Sequence, residues 1–540
     1  MPHRPSASAS SAGSAGTAGR ASAEADGAAP GSAAGCAVRR TGPCAVRCAG
    51  RAAAGGAGAA STGMRRTLHC TYTSHAYLRC IHPVDSDRPY VSAAQRGTAA
   101  PGTNGAPGAV LDQTTERTTD RPTDRPTDRP GAPVPHRTPG ARTAPLPLLA
   151  VWLLTRLWLV PAALKISPFV GGGGLDPSVS KVYTGWYAVL SGGSFPPHDV
   201  SWQYPPGAAL PILAPGLVPG LDYGHAFIVL AALCDAAVFA LLLWVARRRG
   251  RSLAAPWLWT VGLAVLSTMP WNRFDLHVTA LAILALVAAT ARRAWADRTF
   301  GAVTAVAAVV KVWPALLLAG TSRGRRTRTA WTAAAVTGAA VTAGFALAMP
   351  NAFSFLAAQE SRGIQIESVG SLPFHVARHF GWSGTWAAKD GSHEFVGPWV
   401  HGVSIAMQIS TVLAFGWLLW WRRRSDRTAA RVLPDAALTA TLLFVVTSRV
   451  ISPQYLVWLI GLAAVCLLRG DTTQRPVALL ILAACLFTTL DFPLLYRGLR
   501  DHASWLPIAN LYVRNLLLLA AAWLSARRLW RGTVPARRPV

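Results

Sequence analysis

The chain has 540 residues, of which 51% are hydrophobic, and it carries a formal net charge of +28. Such a charge suggests nucleic-acid binding, but beyond residue 144 the basic residues occur mostly as short clusters at the ends of apolar segments. This distribution is typical of the cytoplasmic loops of a membrane protein and excludes a nucleic-acid-binding protein. The eight cysteines show no CxxC-type spacing, so we expect neither a metal site nor a disulfide framework.

Residues 1–143 differ in composition from the rest of the chain. They are rich in Ala, Gly, Ser, Thr, Pro and Arg, and the tetrapeptide TDRP occurs three times in succession at 119–130. With few large apolar residues, this segment cannot bury enough surface to offset the entropy of ordering, so we predict a disordered tail. It lacks the apolar core of a secretory signal peptide. Met64 keeps a second interpretation open, in which the protein starts downstream of Met1.

Removal of residues 1–140 is expected to leave membrane insertion and activity unchanged. The predicted spans after residue 144 form a self-sufficient set, whereas the tail has no apolar core of its own. The measurement is the activity per inserted molecule of the truncated and full-length chains. A truncated protein that is stable in the membrane but inactive would assign the tail a role.

Residues 144–530 contain repeated apolar segments of about 20 residues, the length that crosses the ~30 Å hydrocarbon layer. We therefore predict an all-α polytopic membrane protein of about 10–12 transmembrane helices, with both termini cytoplasmic and a C-terminal tail at 531–540. Arginine clusters are expected to mark the cytoplasmic loops, at 247–251, 292–293, 323–328, 422–424 and 527–528. The ten spans that fit these clusters are 144–164, 224–246, 253–269, 275–293, 329–349, 399–421, 434–450, 454–469, 476–494 and 504–526.

Two further apolar segments are not counted as full spans. The segment 207–220 is short and rich in proline, and the segment 302–320 contains Lys311 and Pro314. Both are predicted to be re-entrant or broken pairs of short helices, which a membrane tolerates only where protein or a cavity covers the backbone. Counting both segments as spans gives about twelve. The loops between the two segments would then change sides of the membrane, which disagrees with the arginine clusters as markers of the cytoplasmic side.

The first outer loop, residues 165–206, carries Asp176 and Asp199. An ionised carboxylate at the outer face can act as a general base toward a hydroxyl group. The alternative is a solvated acid or, for Asp176 before Pro177, a helix cap. Aromatic residues of the loop can stack on sugar rings or form an interfacial belt. These residues are Tyr183, Trp186, Tyr187, Trp202 and Tyr204, with Gln203 between the last two.

The other polar residues of the predicted outer face include Arg273, Arg362 and Arg449. The arginine side chain presents a fork of donors that matches phosphate oxygens, so three arginines on one face suggest an anionic ligand. The alternative is ion pairing, or extension of the side chains toward lipid headgroups. The remaining candidates on this face are Asp275, Gln365, Glu367, Gln454 and Tyr455.

Three charged residues lie inside apolar segments, where such residues usually face a cavity or a partner. Lys311 is a candidate for substrate binding, and Arg156 with Asp235 is interpreted as a structural pair. The histidines show no HExxH or similar spacing, so no metal site is expected.

Taken together, these segments resemble the polyprenol-phosphate-mannose-dependent α-mannosyltransferases of glycosyltransferase family 87, which have the GT-C membrane fold. The resemblance covers about 145–530, nearly the whole membrane part. Its pieces occur in order and at the expected membrane depth: VYTGWYAVLSGGSFPPHDVSWQYPP, NRFD, KVWP, SRGIQIES and SPQYLVWL.

The resemblance implies a large first outer loop with a catalytic Asp, a sugar donor carried on polyprenyl phosphate, and inversion at the anomeric carbon. It also implies no cofactor, and as partners membrane lipid, the lipid-linked donor and a glycolipid or glycan acceptor. The chain departs from the family pattern in the first loop, where the Asp usually lies closer to the Tyr of the VY pair. Ser178 and Ser180 occupy that neighbourhood here, so Asp176 and Asp199 remain alternatives for the base. Arg449 stands where lysine is frequent.

The location at the outer face limits the kind of sugar donor that the protein can use. Nucleotide sugars are cytoplasmic, so a hexosyltransferase at the outer face of the cell membrane needs a donor already carried across on a lipid. The alternative function is a lipid or sugar transporter, which predicts internal repeats with binding residues at mid-membrane. The sequence shows no convincing repeat, and its polar residues gather at the outer surface.

Overall fold

The computed structural model describes residues 145–166, 174–197, 199, 201–248, 252–291, 293, 295–360, 362–389 and 391–535. The predicted disordered tail at 1–143 lies outside these residues, as does most of the predicted C-terminal tail. The last helix runs to Thr533, so the first residues of that tail continue the helix instead of starting a separate segment.

Helices make up most of the described chain. The first eight are α1 Leu146–Ala163, α2 Thr184–Ser191, α3 Ala209–Leu213, α4 Tyr223–Arg248, α5 Ala254–Val265, α6 Asp275–Ala288, α7 Ala296–Val310 and α8 Arg325–Ala348. The next eight are α9 Phe355–Glu360, α10 Leu372–Ala377, α11 Val400–Arg424, α12 Val432–Thr447, α13 Tyr455–Leu467, α14 Arg475–Thr489, α15 Tyr496–Arg500 and α16 Trp505–Thr533.

Six of the described helical segments are long and apolar enough to cross a membrane, and five shorter apolar helical segments accompany them. The long ones are α1, α4, α8, α11, the continuous segment 475–500 and α16. This composition confirms the prediction of an all-α polytopic membrane protein. Each of the ten predicted spans overlaps one of these helices, because a run of apolar residues specifies a helix, although α4, α8, α11, α12 and α16 extend beyond the predicted bounds.

Helix α13 forms the centre of the bundle. Every residue from Leu456 to Leu467 is buried, and the helix packs against α5, α6, α12 and α14. A helix that is apolar on all faces is stable only when neighbours surround it. The approach of α6 is close, since a side chain at Gly461 would collide with Thr279 and Ile283.

A buried ion pair joins the first helices of the bundle. Arg156 of α1 donates to both carboxylate oxygens of Asp235 in α4, at 2.8 and 3.2 Å. Trp259 and the carbonyl of Thr260, both in α5, complete the cluster at 2.8 and 2.9 Å. These contacts account for two of the charges inside apolar segments as structural residues.

The two segments predicted to be broken are interrupted in the structure. Helix α7 ends at Val310, Lys311 adopts an extended conformation, and a short 3₁₀ segment follows at Trp313–Gly320. The segment Pro206–Leu217 consists of α3 between two 3₁₀ turns. The break therefore places Lys311 just after the end of α7 and not inside a helix.

The long loop at 350–398 contains a small sheet that the all-α prediction omitted. Strands β1 Ile364–Gln365, β2 Thr385–Lys389 and β3 Ser392–Val396 pair antiparallel in the order β1-β3-β2. Phe395 lies opposite both Ile364 and Trp386. The strands are too short for a clear alternation of apolar and polar residues, and the loop composition hid them.

Candidate active site

A cavity of about 430 Å³ lies where the C-terminal ends of α7 and α12 meet the N-terminal end of α13. Breaks in the helices bring polar residues to its wall: the loop before α3, the extended residue after α7, the segment before β1, and the turn between α12 and α13. Seven of the residues predicted from sequence line the cavity, namely Gln203, Tyr204, Lys311, Arg362, Arg449, Gln454 and Tyr455.

Lys311 extends its ammonium group into an aromatic enclosure. The Nζ atom lies 2.7 Å from Oδ1 of Asp275, which also accepts a 2.7 Å hydrogen bond from the indole of Trp458. The ring centroids of Tyr204, Trp458, Phe274 and Tyr455 lie 5.0, 5.1, 5.2 and 5.6 Å from Nζ. Aromatic faces attract a cation, so the enclosure fixes the ammonium group at the cavity wall.

Arg362 and Arg449 form a second cationic part of the wall. Nη1 of Arg449 donates to the carbonyl of Arg362 at 2.5 Å, and Nε of Arg362 lies 3.8 Å from Oε1 of Glu394. These contacts hold both arginines at the cavity wall, where guanidinium groups favour an anion.

The cavity wall has an excess of positive charge. Among the described residues that line it, three are cationic and none is a carboxylate. Asp275 and Glu394 lie behind the wall, paired with Lys311 and Arg362. The arrangement is suited to an anionic group that carries an apolar or sugar substituent, since aromatic rings and hydroxyl groups make up much of the remaining wall.

Asp176 and Arg273 lie outside the cavity wall. Arg273 donates to Asp176 at 3.0 Å, and Asp176 also accepts from the backbone N–H of Ser178 at 2.8 Å. Burial raises the pKa of Asp176, but Arg273 and that N–H group outweigh it, so the pKa lies below its usual range. The carboxylate is ionised at neutral pH and its side chain is 24% exposed.

Tyr183 connects this ion pair with the cavity. Its ring packs against Phe274 with the centroids 5.7 Å apart, and Phe274 in turn contacts Tyr204 of the wall at 5.0 Å. Trp186 and Trp202 extend the same aromatic cluster and are buried. Of the aromatic residues predicted in the first outer loop, the cavity wall contains Tyr204.

Asp199 occupies a different environment. It accepts a 2.8 Å hydrogen bond from the indole of Trp186, and 2.8 and 2.5 Å hydrogen bonds from the backbone and hydroxyl of Ser201. These contacts hold the loop against the aromatic cluster.

Gln365 lies behind the wall, and its side-chain amide donates to Glu367 at 2.9 Å. Gln365 accepts from the N–H of Ile451 at 2.8 Å, and its own N–H donates to the carbonyl of Arg449 at 3.0 Å, so it positions the segment that carries Arg449. Burial and the nearby Asp491 raise the pKa of Glu367 to about 8 against the effect of Arg514.

Several wall residues escaped sequence reasoning. Trp458 stacks on Tyr455 at 4.0 Å and on Trp313 at 5.1 Å, and Ser448 and Ser452 add hydroxyl groups. The spacing of Tyr455 and Trp458, three residues apart on one helix, is a signal that they share a face. Ser452 lies in the segment SPQYLVWL without having been singled out, and nothing in the sequence marked Ser448. In the described ranges, no group of three or more His, Cys, Asp or Glu side chains is arranged to hold a metal ion.

The fold and the cavity define a polytopic membrane protein with a cationic, aromatic-lined site. Residues 202–453 match glycosyltransferase family 87. This segment begins next to Gln203 and ends next to Gln454, so it contains most of the cavity wall. No curated protein matches the chain. The family match indicates a membrane glycosyltransferase and does not favour the transporter alternative.

Proposed function

We propose that the protein transfers a hexose from a polyprenyl-phosphate donor to a glycolipid or glycan acceptor at the outer face of the membrane. Mannose is the first candidate for that hexose. The observation that carries the proposal is the cavity wall with Lys311, Arg362 and Arg449 and no carboxylate among its described residues. A phosphodiester-linked sugar supplies the anion that such a wall requires.

The donor phosphate is assigned to these three cations. Arg273, a phosphate candidate by sequence, lies outside the cavity wall, whereas Lys311 lies on it, so Lys311 takes its place among the proposed phosphate ligands. The aromatic side chains of the wall, among them Tyr204 and Tyr455, are suited to contact with the sugar or the first isoprene units. Because the cations neutralise the leaving phosphate, the reaction needs no general acid.

Asp176 is proposed as the general base, ahead of Asp199. The acceptor oxygen forms a bond to the anomeric carbon, the bond from that carbon to the phosphate oxygen breaks, and the hydroxyl proton passes to the carboxylate. Polyprenyl phosphate leaves with the electron pair, and attack opposite to it inverts the anomeric configuration. Tyr183 and Phe274 are buried between the cavity and the Asp176–Arg273 pair, so the proposal requires these rings to move when the acceptor enters.

Transfer from a lipid-linked donor is tested directly in membranes. Membranes that contain the protein are incubated with labelled polyprenyl-phosphate-mannose, and a new mannosylated glycolipid is expected. Membranes without the protein serve as the control, and polyprenyl-phosphate-glucose tests the choice of hexose. Absence of product from every lipid-linked hexose, with product from a nucleotide sugar, would overturn the proposal.

The location of the site is a separate prediction. A cysteine placed at Ser194, in the first outer loop, is expected to react with a membrane-impermeant reagent in intact cells. A cysteine at Thr428, next to the arginine cluster at 422–424, is expected to react only after lysis. The native cysteines are first replaced. Labelling of the Ser194 position only after lysis would reverse the orientation and remove the site from the outer face.

A further inference from the structure

A second cationic pocket lies at the other end of the bundle. Its volume is about 490 Å³, and its wall includes Arg323, Arg326, Arg424 and Arg427. Asp426 is the one carboxylate among the described residues that line it. The pocket adjoins the N-terminal end of α12, whereas the proposed active site adjoins the C-terminal end. Sixteen residues of helix separate them, or about 24 Å.

Arg427 forms the buried floor of this pocket. The residue is 7% exposed, and its guanidinium donates to the carbonyl of Thr321 at 2.9 Å, to the hydroxyl of Ser425 at 3.1 Å and to the carbonyl of Arg422. Burial lowers the pKa of Arg427 to about 10, together with the charges of Arg422 and Arg323. Within the part of the chain that the structure describes, Arg427 forms no ion pair with a carboxylate.

The neighbouring arginines leave the positive charge largely uncompensated. Arg422 binds the carbonyls of Ala319 and Thr321, and Arg323 binds the carbonyl of Arg423 at 2.6 Å. Arg326 lies 3.8 Å from Asp297, but its side chain is 72% exposed, so that contact contributes little. Backbone carbonyls orient these groups without neutralising them, which leaves a fixed concave surface that favours an anion.

We propose that this pocket binds the phosphate of an anionic phospholipid headgroup in the leaflet opposite the active site. The chemistry it recognises is a phosphate with several oxygen acceptors, and arginine forks at helix ends are suited to it. The lipid source is favoured because the pocket lies at the ends of α8 and α11, two helices long and apolar enough to span the membrane. Acyl chains can therefore lie along the helices while the headgroup occupies the pocket.

The test uses the full-length protein in nanodiscs of phosphatidylcholine with or without phosphatidylglycerol. Unfolding is followed by tryptophan fluorescence, and phosphatidylglycerol binding is measured by titration. Phosphatidylglycerol is expected to raise the unfolding temperature of the wild type. The double variant Arg323→Gln/Arg326→Gln is expected to lose most of that shift and to bind the lipid roughly thirtyfold more weakly.

A matched control removes the same charge elsewhere. The double variant Arg247→Gln/Arg248→Gln, at the end of α4, is expected to keep the wild-type shift. Arg424→Gln changes another wall of the pocket and is expected to reduce the shift in part. An equal shift in all variants would overturn the proposal. A shift with inorganic phosphate in phosphatidylcholine discs, equal to that with phosphatidylglycerol, would also overturn it and assign a soluble phosphate ligand.

Discussion

Replacement of Asp176 by Asn is expected to lower the rate of sugar transfer by roughly 100-fold or more, because it removes the proposed base while keeping the shape of the side chain. Donor binding is expected to stay near the wild-type value, since Asp176 lies outside the cavity wall. The measurement is the single-turnover transfer rate together with donor affinity. Asp199→Asn is the comparison, and its effect is expected to be smaller because Asp199 holds Trp186 and Ser201.

The outcome distinguishes three accounts. Loss of transfer in Asp199→Asn with activity retained in Asp176→Asn would reverse the two roles. Normal activity in both variants would remove the first outer loop from the chemistry. Asp222→Asn is a matched control, because Asp222 is an exposed carboxylate paired with His225 and takes no part in the proposed mechanism.

The pH profile of transfer adds a test of how Arg273 acts on Asp176. Arg273 lowers the pKa of Asp176, so the base is deprotonated well into the acid range. Arg273→Met removes that effect and raises the pKa of the carboxyl. Because only the deprotonated form accepts a proton, the acid limb of the profile is expected to move to higher pH. An unmoved limb would show that another group titrates.

The second large effect is expected on the affinity for the donor, through its phosphate. Arg362→Ala and Arg449→Ala should each weaken donor binding roughly 10- to 100-fold, because each removes charge-assisted hydrogen bonds. The double variant should lose more. Lysine in either position is expected to be milder than alanine, since the charge is kept while the guanidinium fork is lost. Affinity is measured with polyprenyl-phosphate-hexose by direct titration.

The matched control for these variants is Arg500→Ala. Arg500 is partly exposed, pairs with Asp501, and stays outside the cavity wall, so donor affinity should not change. Unchanged donor affinity in the Arg362/Arg449 double variant would assign these arginines to lipid headgroups or to structure. A similar loss of donor affinity in all of these variants, Arg500→Ala included, would indicate a general electrostatic effect.

The helices were predictable because their information is local. A run of apolar residues such as 455–467 specifies a buried helix on its own. The helix predicted at 399–421 continues through the arginine cluster and ends at Arg424. The sheet at 364–396 was missed because its pairing depends on residues far apart in the chain. Ile364 and Phe395 become neighbours only in the folded loop.

The sequence identified several residues of the cavity wall but not their arrangement. Three arginines on the predicted outer face suggested an anionic ligand, and two of them, Arg362 and Arg449, share one cavity with Lys311. Sequence gave no means of knowing that Arg273 would pair with Asp176, 97 residues away, or that Gln365 would support the backbone of Arg449. Those contacts depend on how the loops fold over the helix ends.

The central claim is that the sugar arrives on a lipid phosphate held by the cationic cavity. In the direct test, the purified protein is incubated with labelled polyprenyl-phosphate-mannose or, separately, with a labelled nucleotide sugar. Each incubation contains the same membrane acceptor extract. Product is expected from the lipid-linked donor, and the Arg362/Arg449 double variant should lose it. Product from the nucleotide sugar alone, or equal product from the double variant, would contradict the account.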